Sequence, residues 1–103
     1  MIIIDWSDTA RQDLKAIFAY VAQDSRAYAK RLVDRISEKV GLLKDFPELG
    51  ARVEDWETEN IREIQEGNYR IFYRTKADSI EILTVLHAAR QLPEFRKILG
   101  KDQ

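Results

Sequence analysis

The apolar residues of this chain keep a helical spacing as far as Lys44 and a spacing of two from Ile61 onward. A chain that changes period in this way must lay a helical layer against a sheet. The strands then share a sheet, with the helical part on one of its faces.

In the first half, Ser7, Asp8 or Thr9 can cap a helix, and Thr9 with Gln12 also fits a capping box. Ala10, Leu14, Ile17, Phe18 and Val21 form its apolar stripe, with Gln12, Asp13 and Lys15 outside it. The run Gln23-Asp24-Ser25 breaks the pattern, and Asp24 or Ser25 caps a second helix. Its stripe is Ala29, Leu32, Val33, Ile36, Val40 and Leu43. Pro47 disfavours helix at Phe46, so this helix stops near Lys44. The short joint makes the pair a helical hairpin.

Ahead of the helices, "IIIDW" is a short β-branched run that reads as a strand. "FPELGARVEDWETEN" carries Pro, Gly and a cluster of acids and reads as a loop. Three strands follow, near Ile61–Gln65, Tyr69–Thr75 and Ser79–His87, separated by "EGN" and "KAD". Pro93 ends the sheet region, and "PEFRKILG" suits a short final helix with Pro93 in its first turn. The expected fold class is α+β, in the order β-α-α-β-β-β. It has a helical hairpin on a small antiparallel sheet and a short C-terminal helix beyond it. A length of 103 residues implies one domain, 1–103. A chain of that size buries roughly two-thirds of its unfolded surface, enough for a core without staples.

No cysteine is present, which removes disulfides and thiolate metal sites. One histidine and scattered acids give no ligand cluster, so no metal and no cofactor are expected. "MIIIDW" is too short for a signal segment or a membrane span, so the expected setting is cytoplasmic, with no membrane partner. The net charge of −1 gives no overall attraction to nucleic acid. Arg62, Arg70, Arg74, Lys76 and Arg90 nevertheless gather in the stretch after the acidic loop, and a local patch is enough to bind phosphate.

An even-length turn at "KAD" pairs Thr75 with Ile80, Arg74 with Glu81, Phe72 with Leu83 and Arg70 with Val85. Tyr69, Ile71, Tyr73, Ile80, Ile82 and Leu86 then share the more apolar face, which should meet the helices. Arg70, Arg74, Glu81 and His87 fall on the open face beside Phe72, Leu83 and Val85. Arg74 opposite Glu81 reads as an ordinary cross-strand pair. Arg70 has no acidic neighbour in this register. A lone histidine at a strand end is more often structural than catalytic, and Arg90 reads equally as a solvated loop residue. A two-residue Gly67-Asn68 turn pairs Ile64 with Ile71 and puts Arg62 on the face opposite Arg70.

The segments "WSDTARQDLKAIFAYVAQDS", "FPELG", "IREI", "GNYRIFYR" and "ILTVLHAAR", in that order, resemble the RelE/ParE superfamily of bacterial type II toxins. The resemblance spans nearly the full chain and implies the same β-α-α-β-β-β fold. It also implies a cognate antitoxin whose disordered tail folds over the toxin, a heterotetramer or larger complex being within its scope. It further implies growth inhibition, with a role such as plasmid stabilization. Two activities are known in such proteins. RelE-like members are metal-independent ribonucleases that cut mRNA on the ribosome, and ParE-like members inhibit DNA gyrase without being enzymes.

By position, the resemblance makes Arg70 the residue that would hold a scissile phosphate. His87 or Arg90 would be a further basic group, with Arg62 near a position that is often basic. Such charges suit attack by a 2′-hydroxyl, which needs positive charge on the phosphorane together with an acid and a base. The departures point the other way. Ile64 stands where some nucleases carry a second basic residue, and no tyrosine or histidine follows Leu92. The ParE-like branch, with DNA gyrase as partner, is therefore the expectation, and the alternative is a ribosome-dependent nuclease. In the ParE-like reading Arg70, Phe72, Arg74, Leu83, Val85 and Arg90 form the surface for target or antitoxin.

Overall fold

Ser7 and Ser25 turn out to be the two helix caps. The Ser7 hydroxyl oxygen accepts a hydrogen bond from the Ala10 amide at 3.0 Å, and that of Ser25 from the Tyr28 amide at 3.1 Å. Each cap contributes about 1 kcal/mol and fixes where its helix begins. The computed structural model describes residues 1–53 and 60–88. Its helices are α1, Asp8–Ala22, and α2, Arg26–Gly41, the latter ending in a 3-10 turn at Leu42–Lys44. The strands are β1 (Ile3–Trp6), β2 (Ala51–Arg52), β3 (Ile61–Glu66), β4 (Tyr69–Thr75) and β5 (Ser79–His87). The expected C-terminal helix over "PEFRKILG" and the candidate Arg90 lie outside the described residues.

The helical hairpin packs on one face of a five-stranded sheet of order β1-β5-β4-β3-β2. Helix α2 buries Ala29, Leu32, Ile36 and Val40, and α1 fully buries only Ala10. They meet Ile64, Ile71, Tyr73, Ile80, Ile82 and Val85 of the sheet. Each large apolar side chain so buried contributes on the order of 1.5–3 kcal/mol. Ile2, Ile4, Trp6 and Tyr69 pack at the margin of this core. No described helix is long and apolar enough to cross a membrane.

Three expectations change. The sheet is mixed rather than antiparallel, because β1 runs parallel to β5, with Ile4 opposite Ile80 and Trp6 opposite Ile82. A helical hairpin follows β1 at once, so no tight turn dictates its direction, and a crossover connection permits parallel pairing. The stretch read as a loop contributes β2, which pairs antiparallel with β3.

The third change concerns register. The β4–β5 pairing begins as expected, with Thr75 opposite Ile80 and Arg74 opposite Glu81. A bulge then leaves Leu83 without a direct partner, so Phe72 faces Thr84, Ile71 faces Val85 and Arg70 faces Leu86. One inserted residue exchanges the faces of everything beyond it. Val85 therefore packs under the helices, while Leu86 joins Leu83, Phe72, Ile61 and Val53 in a second cluster on the other face.

Candidate functional site

The charged site grows from alternation along β4. Arg70, Phe72 and Arg74 share the face turned away from the helices, and β3 places Glu63 directly opposite Phe72. Glu63 is thus the diagonal neighbour of Arg70, within reach of a long side chain. The Arg70 Nε donates to Glu63 Oε2 at 2.5 Å and its Nη2 to Oε1 at 3.0 Å, a two-pronged pair. The same guanidinium lies over the Phe72 ring, 4.9 Å from its centre. These hydrogen bonds push the Arg70 guanidinium further above its ordinary value, so it is a fixed cation and no proton donor.

The expectation that Arg70 has no acidic neighbour is therefore corrected. It weighed the partner on β5 and overlooked the diagonal on β3. That diagonal follows from the Gly67-Asn68 turn. Gly67 carries a φ of +58°, as the first central residue of a Gly-first hairpin turn requires. Arg74 behaves as expected and pairs with Glu81 at 3.4 Å, an oxygen it shares with Lys76 at 3.6 Å.

The other candidates are dispersed. The turn keeps Ile64 opposite Ile71, so Arg62 does lie on the face opposite Arg70. There its Nη1 donates to the Gly50 carbonyl at 2.7 Å. The expected place of His87 is the open face with Arg70, but the bulge moves it to the helix side. It stands opposite Tyr69, edge to face, with ring centres 5.4 Å apart. Arg62 and His87 lie opposite Tyr73 and Tyr69, so they are roughly 13 Å apart along the strand direction alone.

Nor is the expected apolar strip exposed. Phe72, Leu83 and Val85 are each 5 % exposed or less, with Phe72 and Leu83 in the second cluster and Val85 in the main core. Among the described residues no group of acids and histidine could hold a metal ion.

Residues missed by the sequence reading include Tyr73 and Asp13. The buried Tyr73 hydroxyl donates to the Pro47 carbonyl at 2.8 Å and accepts from the Gly50 amide at 2.9 Å. Together with Arg62 it pins the "FPELG" segment to the sheet. Asp13 accepts from the Thr84 hydroxyl at 2.5 Å and from the Val85 amide at 2.9 Å, which secures the bulged part of β5 to α1. A polar residue beside an apolar stripe gives no sign of such a role in sequence.

Residues 4–92 match the family described as the ParE toxin of the type II toxin–antitoxin system parDE. The chain is 36% identical over 93 residues to the Y4kP protein of Sinorhizobium fredii, named as a candidate toxin, covering 88% of this chain and 93% of that protein. Its fold is similar to a chain of the chromosomal ParDE toxin–antitoxin system from P. aeruginosa. The TM-score there is 0.69 and the identity 27%, over 84% of this chain and 96% of the other. A chain of the RelBE2 toxin–antitoxin complex from Mycobacterium tuberculosis shares the fold, with a TM-score of 0.63 and 24% identity, over 82% of this chain and 95% of the other.

Proposed function

Because the chain belongs to the ParE toxin family of type II toxin–antitoxin systems, we propose that it inhibits DNA gyrase by binding and is silenced by a cognate antitoxin. The place of action is the cytoplasm, where the target resides. The observation that carries this reading is the dispersal of the described cations. Cleavage of RNA through its 2′-hydroxyl requires cations, an acid and a base within hydrogen-bond reach of one phosphate. Here Arg70 is engaged by Glu63 on one face, while Arg62 holds the Gly50 carbonyl and His87 meets Tyr69 on the other. Such an arrangement suits a protein that works by contact rather than by turnover.

Arg70 and Arg74 present partly exposed guanidinium groups and serve as contacts for target or antitoxin. Phe72 and Leu83 act from beneath, as the packed support of that face, and Val85 from the main core. Arg90 belongs to the proposed surface by its sequence position.

Expression of the chain alone should arrest bacterial growth, with filamentation and a DNA-damage response, and co-expression of the antitoxin should restore growth. Purified protein should inhibit supercoiling by gyrase and leave mRNA intact in a translation extract. Codon-level cuts in mRNA with gyrase untouched would move the assignment to the ribonuclease branch. Normal growth at confirmed expression of folded protein would remove the toxin reading altogether.

A further inference from the structure

A cleft of about 380 Å³ lies where α1 passes the end of β5, and the charged face described above makes no use of it. Asp13, Ile17 and Tyr20 line its α1 side, recurring on one helix face at spacings of four and three. Tyr69, Val85 and His87 line the sheet side.

The cleft exists because β1 ends at Trp6, opposite Ile82, while β5 continues to His87. Beyond that point residues at and near the start of α1 replace β1 as hydrogen-bond partners. The Ser7 hydroxyl donates to the Leu83 carbonyl at 2.9 Å, and Asp13 Oδ2 takes the Thr84 hydroxyl and the Val85 amide. Both donors to Asp13 are neutral groups, and together they hold the carboxylate in one place. Both bonds use Oδ2, and among the described residues no lysine or arginine forms an ion pair with Asp13.

Around this anchored charge stand aromatic rings. Tyr20 is 72% exposed, and Tyr69 is half-buried. The Tyr69 phenol is pushed up first by burial and then by the nearby Tyr28 and Tyr20, so it stays neutral. The guanidinium groups of Arg31 and Arg35 sit 5.9 Å from the ring centre of Tyr28, a neighbour of Tyr69, within the range in which a ring face attracts a cation. A fixed carboxylate in a cleft that Tyr20, Tyr69 and the apolar side chain of Ile17 also line is complementary to a planar cation on an aliphatic stem. It repels phosphate.

We propose that this cleft is the receptor for one arginine side chain of the antitoxin segment, its guanidinium on Asp13 and its stem against Ile17 and Tyr20. The assignment rests on the antitoxin partnership proposed above and adds where, and by which chemistry, that partner is read. Arginine fits better than lysine because its planar fork can meet a carboxylate and stack on a tyrosine together.

The test has two arms. In the first, Nα-acetyl-arginine amide is titrated into isotope-labelled protein and followed by NMR. Saturable shifts are expected at the Val85 amide and the Tyr20 and Tyr69 rings. The uncharged Nα-acetyl-norleucine amide should bind about tenfold more weakly or worse, the loss that one charge-assisted hydrogen bond implies. Asp13→Asn keeps an acceptor for Thr84 and Val85, so the domain stays folded while binding of the arginine amide falls by a similar factor. Equal binding of the two amides, no saturable shift, or an unchanged Asp13→Asn overturns the cleft assignment. In the second arm, calorimetry compares wild type and Asp13→Asn with the antitoxin encoded beside the chain. About a tenfold loss of affinity is expected, and an unchanged affinity overturns the assignment to the antitoxin. If that protein fails to bind wild type at all, the antitoxin reading and this use of the cleft fall together. The first arm then still decides whether the cleft recognises a cation.

Discussion

Arg70 on β4 and Glu63 on β3 meet diagonally across the hairpin, with both guanidinium-to-carboxylate bonds at 3.0 Å or less and Phe72 beneath the cation. Their side chains are only 21% and 26% exposed, so solvent screens the pair less than it screens a surface ion pair. Arg70→Ala removes the pair and the contact with the ring and leaves a half-buried carboxylate without its partner. The expected loss is about 1–3 kcal/mol in urea unfolding, with the fold retained. A double-mutant cycle with Glu63→Gln should return a coupling of roughly 1 kcal/mol. Additive single effects would show that the pair contributes nothing of its own.

Tyr73 gives a prediction in pH. Burial raises its phenol above the ordinary 10.0, outweighing the opposing effect of the bond from the Gly50 amide. A raised value means that the native state holds its proton where the unfolded state has lost it. The contribution is complete below pH 10.0 and declines as pH climbs through the raised native value. Tyr73→Phe should cost about 1–3 kcal/mol at neutral pH, because the Gly50 amide loses its acceptor. It should also flatten the alkaline fall in stability. Urea melts of both proteins at neutral pH and above pH 10 check the two effects together.

Gly50 and Gly41 should respond in opposite ways to alanine. A Cβ at Gly50 would stand 2.6 Å from the Glu63 carbonyl oxygen and 2.9 Å from a Tyr73 ring carbon. Neither backbone nor a buried ring can yield cheaply, so Gly50→Ala should destabilise by roughly 1–3 kcal/mol or more. A Cβ at Gly41 meets nothing within 4 Å, and the residue is helical. Gly41→Ala should therefore be neutral or stabilise by up to about 1 kcal/mol. Thermal melting of the two variants tests the contrast, and a tolerated Gly50→Ala would refute the close approach of the "FPELG" segment to β3.

Asp13 separates structure from recognition. Asp13→Ala strands the Val85 amide and the buried Thr84 hydroxyl and should cost about 1–3 kcal/mol. Asp13→Asn should cost clearly less, because an amide oxygen can accept the same bonds. Hydrogen exchange at Val85 should quicken in the alanine variant and stay slow in the asparagine variant. Equal protection in all three proteins would mean that the carboxylate does not secure the bulge.

The features legible in the chain before folding are local. Ser7 and Ser25 lie among the candidate caps, the stripes of α1 and α2 give the buried helix faces, and Gly67-Asn68 fixes the β3–β4 register and hence the side on which Arg62 lies. Each depends on neighbours a few residues away, where backbone sterics and side-chain spacing act directly. The later half of β5 is different. From Ile80 to Leu86 apolar residues occur on both faces of the strand, so a period of two fits with or without an extra residue at Leu83. Only the tertiary structure chooses, because Asp13, more than seventy positions away in sequence, supplies the partner for the Thr84 hydroxyl and the Val85 amide. That choice puts Val85 in the core, Leu86 on the opposite face and His87 beside Tyr69 instead of Arg70. The parallel place of β1 is decided in the same way, by contacts that no local pattern contains.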